Sequence, residues 1–388
     1  MKKSIIILSA IIATTAISCK KEGCTDENAT NYNSNAKKDD GSCQYAPPTP
    51  TPNPTPGYPI PTTFTFTDDA GNNTVSYGGQ TDRLNQLAEM VTYMKTGNST
   101  VIDAQVIKDM FANAGGDGNG NFSFTSTKQL KNKCFTIDQP LFETFMDNIA
   151  VASNDFATTA SNGQAGTLTS GSSTYLFDAN GVEQVQIIEK GLMGAVFMNQ
   201  ALNNYFSPSE INVDNTVAVD PVNGKYYTLM EHHFDEAFGY FGVDIDFPTT
   251  IPSNFWGKYS NKQDPTINCN ADMMDNFLKG RAAITNDVMA DRDAAILAIR
   301  TEWEDISAYQ AMKYLDDAVG YYGSDNAKLL HVLSEAYAFA WDLRYAPVET
   351  RRMDNAEHTA LMAMFNTNFW DMSVPDINAI KAAIDAKY

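Results

Sequence analysis

The stretch RLNQLAEMVTYM, residues 83–94, indicates the fold of this chain most directly. Its apolar side chains recur every three or four residues, so one face of a helix would carry Leu84, Leu87, Val91 and Met94. Gly97 follows and marks the end of that helix. The pattern predicts an amphipathic helix with one face against a core.

Helical periodicity of the same kind continues outward along the chain. It predicts further helices near residues 103–113, 140–160, 183–205, 224–241, 270–290, 291–318, 325–346, 353–366 and 375–386. Strand patterns are short: residues 63–67 alternate with period two and are expected to pair with 74–77, and residues 167–177 indicate a hairpin. We therefore predict an all-α fold, a bundle of up-and-down helices with small β-hairpin decorations.

The N-terminus has the order typical of an exported lipoprotein. A short cationic start precedes an apolar run that is too short to span a membrane comfortably, and Ala16 and Ser18 stand just before Cys19. This order predicts a lipoprotein signal peptide over residues 1–18. The lipid on Cys19 would then attach the mature chain to a membrane, as an outer-membrane lipoprotein facing the periplasm or the cell surface. The alternatives are an ordinary secretory peptide and an uncleaved anchor, and all three take the protein out of the cytoplasm.

Residues 19–45 form a polar segment with almost nothing apolar to bury. Its order is expected to come from a disulfide between Cys24 and Cys43, with or without a calcium ion held by Asp and Asn oxygens. The segment resembles a short Gly-Cys-Thr-Asp … Asp-Asp-Gly-Ser-Cys repeat of bacterial surface proteins, which implies a spacer module. Residues 46–57 are rich in proline and predict a stiff, extended linker, after which residues 58–388 form the helical-bundle domain.

Composition limits the partners of this chain. Its 388 residues include 43% hydrophobic side chains, enough to bury a large core. A formal net charge of −20 argues against nucleic acid or anionic lipid as a partner, because a phosphate-binding surface needs clustered Lys and Arg. With Cys19 lipidated, the simplest of the three pairings of the other cysteines joins Cys24 to Cys43 and Cys134 to Cys269.

Candidate metal ligands are concentrated in the stretch MEHHFDEAFGYFG, residues 230–242. On a helix, His232 shares a face with Asp235 and Glu236, and His233 shares one with Glu236. Imidazole and carboxylate groups on one face are the donors from which helical proteins build metal sites.

A second predicted helix carries His331, with Glu335 one turn later. If the two helices face one another, these groups would meet at one interior point and could hold a divalent metal or iron. The alternative is a structural role, in which each histidine pairs with a nearby carboxylate or carbonyl and binds no ligand.

Two arginines leave open the alternative that the candidate carboxylates have a purely structural role. Arg281 and Arg300 lie on predicted helices and could neutralise the carboxylates through bidentate pairs. Residues 189–195 add a Glu–Lys pair beside glycines that permit close helix contact. His358 lies in a polar helix and is predicted to be at the surface.

Other sites have weaker support in the sequence. Residues 117–121 resemble the opening of an EF-hand loop, but Phe122 stands where a glycine belongs and Lys128 where the bidentate Glu belongs. The sequence contains no zincin, nucleophile-elbow, phosphate-loop or haem-attachment motif.

Several stretches together resemble a family of exported bacterial lipoproteins; they are residues 63–84, 173–177, 189–195, 233–242 and 279–283. That family is classed as domain of unknown function 4856 and is associated with imelysin-like proteins, and the resemblance spans nearly all of residues 58–388. Imelysin-like proteins are helical-bundle lipoproteins or periplasmic proteins linked to iron uptake, with a Gly-x-His-x-x-Glu motif.

The resemblance to imelysin-like proteins departs from the motif in two places. His233 and Glu236 match its His and Glu, but Glu231 occupies the Gly position. His331 has Ser334 where the motif has Glu. The resemblance implies an imelysin-like helical bundle and a ligand related to metal, iron or haem uptake.

Three functions remain open on this basis. The first is a membrane-anchored protein that binds a metal ion or iron compound through His232, His233, Asp235, Glu236, His331 and Glu335. The second is a structural or adaptor protein with a buried salt network and a surface protein as its partner. The third is a metal-dependent hydrolase of imelysin type, which would need an open coordination position.

Overall fold

The computed structural model of the chain describes residues 21, 23, 25, 32–38 and 57–388. The chain divides into two compact units, residues 1–57 and residues 58–388. The signal peptide, Cys19, the Cys24–Cys43 disulfide with its calcium ion, and most of the linker were predicted from residues outside the described part of the chain.

The described part of the first unit is a small backbone-paired turn. The amide of Gly23 donates to the carbonyl of Lys38 at 3.2 Å, and Lys37 donates to Lys21 at 2.8 Å. Between these strands of backbone, the amide of Ala36 closes a turn onto Asn33. The two ends of the segment therefore lie side by side.

The second unit is mainly helical, which confirms the predicted fold class. Its described α-helices are α1 (Gly78–Lys95), α2 (Ala104–Ala112), α3 (Gln139–Ser153), α4 (Gln184–Leu192), α5 (Pro208–Ile211), α6 (Leu229–Phe241), α7 (Phe255–Ile267), α8 (Cys269–Thr285), α9 (Met289–Tyr321), α10 (Asn326–Asp342), α11 (Asn355–Met364) and α12 (Val374–Asp385). No helix in residues 57–388 has the length and apolar character needed to cross a membrane.

Helix α1 shows why the periodic stretch near residue 83 predicted the fold. Leu87, Met90, Val91 and Met94 are buried along one face, and they belong to a single hydrophobic core that extends through the domain. The helix passes into a 3₁₀ turn, Thr96–Asn98, in which Gly97 is buried. Burial of this apolar stripe is the main reason why the segment is helical, because isolated helices of this length are marginal in water.

Two antiparallel hairpins decorate the bundle. The predicted one joins β1 (Gly166–Ser170) to β2 (Ser173–Phe177). The other joins β3 (Ala218–Asp220) to β4 (Lys225–Thr228) and was not predicted. Capping box residues Thr228 and Glu231 start α6 directly after β4.

The predicted pairing of residues 63–67 with 74–77 is only partly formed. A single bridge joins Thr67 to Asn73, and the carboxylate of Asp68 holds the turn by accepting from the amides of Ala70 and Asn72. Phe64 uses its backbone differently, because its amide donates a hydrogen bond to the carbonyl of Ile245. Burial of the Phe64 ring against α6, stacked on Phe238 at 3.7 Å, outweighs a longer strand ladder.

Helix α7 was missed from the sequence because proline and glycine interrupt its pattern. Pro265 lies inside its last turn, where it removes one backbone donor from the helix. The helix ends at Asn268, whose φ of 56° is left-handed. Trp256 on its buried face donates to the carbonyl of Met193 at 3.0 Å, so tertiary packing offsets the lost hydrogen bond.

The segment after α4 is unusual, because its backbone is π-helical. Residues Met193–Met198 and Gln200–Tyr205 form two consecutive π-helical stretches that continue the helix predicted over 183–205. They lie in the centre of the bundle, where Met193 through Met198 are all buried. Such π-helical turns are rare, so the packing of surrounding side chains must stabilise this backbone conformation.

Helix α9 is the longest element of the bundle. With 33 residues it spans about 50 Å at 1.5 Å per residue. It packs against α8, α10 and α12, while α10 also packs against α4. Trp303 on α9 meets Trp256 at 5.8 Å and Phe241 at 5.0 Å between ring centroids, both edge to face.

The predicted disulfide between Cys134 and Cys269 is wrong. Both thiols are free and buried. The thiol of Cys269 donates to the carbonyl of Ser260 at 3.1 Å, and that of Cys134 contacts the carbonyl of Phe135. Each side chain is thus used within its own neighbourhood, and burial raises the pKa of Cys269 to about 12.

A glycine in α6 permits close approach of α1, and this generates a stability prediction. A Cβ at Gly239 would lie 2.7 Å from Cβ of Tyr77 and 3.0 Å from Cβ of Gln80, so Gly239→Ala must push the helices apart. We expect a loss of about 1–3 kcal/mol in the free energy of unfolding, measured by urea denaturation. Gly320→Ala is the matched control, because nothing lies within 4 Å there; it should change stability by less than about 1 kcal/mol, in the stabilising direction. Equal effects of the two substitutions would contradict this packing.

Candidate functional site

Arg281 on α8 is the centre of the first buried charge cluster. Its Nε donates to Oδ1 of Asp235 at 2.9 Å and its Nη1 to Oε1 of Glu231 at 2.7 Å. Its Nη2 donates to the carbonyl and the hydroxyl of Thr74. The guanidinium is fully buried and lies over the ring of Phe66 at 4.8 Å. Arg281 therefore joins the segment before α1 to α6 and α8.

The carboxylates around Arg281 have further partners. The amide of Ser76 donates to the second oxygen of Asp235 at 3.0 Å. Glu231 also accepts from the amide of Thr228 at 2.9 Å, as part of the capping box. Burial raises the pKa of Asp235 to about 7, while Arg281 and the Ser76 amide act in the opposite direction. Asp235, one of the predicted metal ligands, thus serves with Glu231 as a partner of a protein cation.

The two histidines of α6 point to different partners. Nδ1 of His232 donates to the carbonyl of Ser76 at 2.9 Å, and its Nε2 lies 3.8 Å from Oε2 of Glu236. Nδ1 of His233 donates to the carbonyl of Glu210 at 2.5 Å, and its Nε2 lies 3.4 Å from a carboxylate oxygen of that residue. Burial lowers the pKa of His232, against the nearby Glu236.

Glu236 is shared with two neutral donors. Nε2 of Gln80 donates to its Oε1 at 2.8 Å, and the hydroxyl of Tyr205 donates to the same oxygen at 3.1 Å. Tyr205 ends the second π-helical stretch, so this stretch positions a hydrogen-bond donor against α6. The predicted pair of His232 and Glu236 is present, but each histidine faces one carboxylate only.

Lys190 on α4 is the centre of the second cluster. Its ammonium donates to Gln186 at 2.6 Å and to Glu189 at 2.8 Å, and it lies 3.4 Å from Glu335. Burial opposes its charge, but Glu189 and Glu335 outweigh that effect and raise the pKa of Lys190 above its ordinary value. The ammonium therefore donates two hydrogen bonds and forms a longer ion pair with a third group.

His331 extends the second cluster along α10. Its Nδ1 lies 2.6 Å from Oε2 of Glu183 and its Nε2 3.3 Å from Oε2 of Glu335. The ring stacks near Tyr175, with 4.6 Å between centroids. The predicted pair of His331 and Glu335 is therefore present, in contact with α4 rather than with α6.

The six predicted ligands are divided between separate clusters. His232, His233, Asp235 and Glu236 contact groups from α1, α5 and α8, whereas His331 and Glu335 contact groups from α4. Within residues 57–388 and the short described segments before them, no group of three or more His, Cys, Asp or Glu side chains is arranged to hold a metal ion. Asp235 and Glu335 are paired with the protein cations Arg281 and Lys190, and Glu236 is held by neutral donors.

The predicted role of Arg300 is not observed, since its guanidinium donates to the carbonyls of Leu202 and Phe206 instead of a carboxylate. The surface position predicted for His358 is also wrong. Its side chain is buried, and its Nε2 lies 3.1 Å from the carbonyl of Ala340. Burial lowers the pKa of His358, because the charged imidazolium is poorly solvated there.

Asp342 at the end of α10 was not singled out in the sequence. It is fully buried, and neither carboxyl oxygen has a hydrogen-bond partner among the described residues. A Cβ at Gly194 would clash with one of these oxygens, so only glycine fits in the π-helical backbone beside it. Burial raises the pKa of Asp342 well above its ordinary value, because the charged carboxylate is poorly solvated there.

A pocket of about 400 Å³ lies on the other side of α10, and we call it the aromatic pocket. Residues from α3, α4, α10 and α11 and from the loops after β2 and α11 line it. Its ring-bearing side chains are Phe145, Tyr337, Phe365 and Phe369. Tyr337 is central, since its ring lies 5.2 Å from Phe365 and 6.1 Å from Phe369 between centroids.

Polar side chains form one end of the aromatic pocket. Asp178 accepts from the amides of Asn180 and Val182 through one oxygen and from Nε2 of Gln184 at 2.7 Å through the other. Gln184 is 5% exposed, and its Oε1 has no hydrogen-bond partner in the described part of the chain. A buried carbonyl oxygen without a donor is costly unless a ligand or water supplies one.

The aromatic pocket continues toward a second pocket of about 390 Å³. The two share Met362, and a narrow cleft along Tyr337 and Trp341 lies between them. Arg344 and His358 line the far end. The guanidinium of Arg344 packs over the ring of Trp341 at 5.5 Å, and Asp138, at 3.2 Å, is its one hydrogen-bond acceptor among the described residues.

The sequence did not reveal these pockets, because aromatic residues at helical spacing are equally typical of a buried core. Tyr337 and Trp341 are four residues apart on α10, and both are only half-buried. The asparagine-rich loop after α11, residues 366–368, was a usable signal. It follows an apolar helix and supplies polar groups next to Phe365 and Phe369.

Fold and site together define an α-helical bundle that two internal ion networks hold and that opens in an aromatic pocket between α3, α4 and α10. The comparison with protein families places residues 61–388 in the family described as Domain of unknown function (DUF4856). The chain belongs to this family, as the resemblance of its motifs predicted. No curated protein and no solved structure matches it. The association with imelysin-like proteins stays a prediction.

Removal of Arg281 tests whether the first cluster is structural. Arg281→Met would leave the carboxylates of Glu231 and Asp235 buried without their cation, and we expect a loss of about 3–5 kcal/mol in the free energy of unfolding. Combining it with Glu231→Gln and Asp235→Asn should restore part of that loss, since no buried charge remains. The measurement is urea denaturation followed by circular dichroism.

Lys313→Met is the control for the removal of a cation. Lys313 pairs with Asp317 at the surface, and an exposed pair of this kind contributes about 0–1 kcal/mol. If Arg281→Met were no more costly than Lys313→Met, the buried network would not be what joins these segments.

Proposed function

We propose that this protein is a lipid-anchored, extracytoplasmic binding protein that takes a small ligand into the aromatic pocket. The observation that carries the proposal is the unpartnered Oε1 of Gln184 in the wall of that pocket. A buried acceptor, four aromatic rings and a volume of about 400 Å³ match the general character of small-molecule sites, which are concave, mostly apolar and carry a few placed polar groups.

The anchor part of the proposal rests on the leader sequence. A lipid on Cys19, a spacer module and a proline-rich linker of residues 46–57 would hold the binding domain away from the membrane. The acidic surface charge fits a solvated domain that does not adhere to anionic headgroups.

The charge clusters have a different role under this proposal. Arg281 neutralises Asp235 and Lys190 neutralises Glu335, while Glu236 accepts hydrogen bonds from Gln80 and Tyr205, so the predicted acidic ligands stabilise the bundle. A metal-dependent hydrolase would need an open coordination position beside several free donors. The pocket offers an accessible volume without disturbing either network.

Methionine methyl groups report directly on the pocket. Met362 lines both pockets, whereas Met364 on the same helix is exposed and lines neither. With ¹³C-methyl methionine in the full-length chain, we expect methyl α-D-glucopyranoside, N-acetyltyrosinamide or benzoate to shift the Met362 signal and leave Met364 unchanged. Met362→Leu assigns the signal, and Tyr337→Ala should weaken the shift at least about tenfold in probe concentration.

Two results would overturn the assignment of the ligand to the aromatic pocket. One is the absence of any Met362 shift with all three probes in a folded protein. The other is stoichiometric iron or zinc in the purified protein that is lost in the His233→Ala, Glu236→Ala double variant, which would place the function at the histidine cluster.

The anchor is tested by labelling cells with an alkyne analogue of palmitate. We expect Cys19→Ser to remove both the label and the membrane association of the chain, because Cys19 is the predicted lipid-bearing residue. Cys24→Ser is the matched control, since it removes a neighbouring thiol and should keep both. Label retained in the Cys19 variant would contradict the lipoprotein assignment.

A further inference from the structure

The polar wall of the aromatic pocket requires a ligand that donates hydrogen bonds. Asp178 accepts from Nε2 of Gln184, which fixes the amide so that Oε1 is the free acceptor. Asn148, half-buried on α3, lines the same pocket, and its side chain forms no hydrogen bond with the described residues. An amide both donates and accepts, so the wall matches a group that does the same, as a hydroxyl does.

The charged residues of the pocket lining restrict the charge that the ligand can carry. Within the described part of the chain, Asp178 is the only charged residue that lines the aromatic pocket. Both of its oxygens are occupied by protein donors, so its charge is compensated by dipoles and not by a cation. A ligand anion would meet this carboxylate at low dielectric without a neutralising Lys or Arg, which disfavours acids and phosphates.

The aromatic side chains supply a flat apolar surface opposite these amides. Tyr337 is half-buried and is braced edge to face by Phe365, which holds its ring in one orientation. Among the described residues its hydroxyl forms no hydrogen bond, and burial raises the pKa of Tyr337 to about 12. A ligand with a saturated ring can pack its C–H groups on such a surface, while the hydroxyl groups of the ligand form hydrogen bonds with the polar wall.

The elements around the pocket do not suit an extended peptide. Its lining comes from α3, α4, α10, α11 and loops, and neither described hairpin presents a free strand edge within it. An extended peptide usually gains affinity by pairing its main chain with a strand edge, and the described lining of this pocket offers none.

We propose that the ligand of the aromatic pocket is a neutral saccharide, with one pyranose face packed on Tyr337 and hydroxyls bound by Gln184 and Asn148. This inference rests on the proposed function, because it names the chemical class of the ligand for the same pocket. The second pocket, with Arg344 and His358, would receive the next part of a longer ligand.

The experiment is saturation-transfer NMR on the full-length chain with four probes: maltose, cellobiose, N,N′-diacetylchitobiose and, as an anion of similar size, digalacturonate. We expect at least one neutral disaccharide to bind at least tenfold more tightly than digalacturonate. Asn148→Ala should weaken that binding about tenfold, as should Gln184→Met. Asn85→Ala, at an exposed site on α1, is the matched amide control and should leave binding unchanged.

The outcomes separate this inference from the proposed function. If N-acetyltyrosinamide or benzoate shifts Met362 and no neutral disaccharide binds, the pocket is a binding site but the saccharide assignment is overturned. Equal binding of digalacturonate, or disaccharide binding that survives Asn148→Ala and Tyr337→Ala together, also overturns it. If no probe of any kind reaches Met362, the proposed function itself fails. Because the side chain of Asn148 forms no hydrogen bond with the described residues, the Asn148→Ala variant is expected to fold normally.

Discussion

The buried guanidinium of Arg281 is the constraint on which the rest of the domain depends. A fully buried cation is tolerated only when every donor meets an acceptor, and here the acceptors come from three separate segments: Thr74 before α1, Glu231 and Asp235 on α6, and Thr285 on α8. Once this charge is inside, α1, α6 and α8 cannot separate without exposing an unpaired ion. Lys190 imposes the same condition on α4 and α10 through Glu335. The core contributes most of the free energy of folding, while these two cations determine which helices meet.

This dependence explains why a metal site was a reasonable prediction and why the structure does not bring its ligands together. Histidines followed by acids at helical spacing arise both in metal sites and in ion networks, and local sequence does not distinguish them. The distinguishing partners are distant in the chain. Arg281 lies 46 residues after Asp235, and Glu183 lies 148 residues before His331. Local spacings predicted the pairs of His232 with Glu236 and of His331 with Glu335, and both exist. His233, which was expected to share a site with Glu236, faces Glu210 instead. The place of a further metal ligand is taken by Gln80 and Tyr205 beside Glu236 and by Lys190 beside Glu335.

Local patterns predicted most of the helices for a physical reason. In segments such as α1, α9 and α10, an apolar stripe, a polar face and a stop signal all agree. The prediction failed where tertiary contacts decide. Helix α7 keeps Pro265 because Trp256 anchors it to the core, residues 63–67 give up strand pairing to bury Phe64, and His358 is buried although its helix is polar. None of these outcomes can be derived from the residues nearest in sequence.

The aromatic pocket lay beyond prediction for the same reason, since its wall is assembled from elements that span residues 145 to 369. The low charge of this pocket follows from the position of the ion network around Lys190. Because Lys190 and its acids occupy the buried side of α4 and α10, the opposite edge of these helices is free of charge and carries Tyr337, Ile187 and Gln184. A bundle held by internal ion networks does not need that edge for its own cohesion. It can therefore leave Oε1 of Gln184 without a donor among the described residues, and a buried acceptor of this kind favours a ligand that donates a hydrogen bond to it.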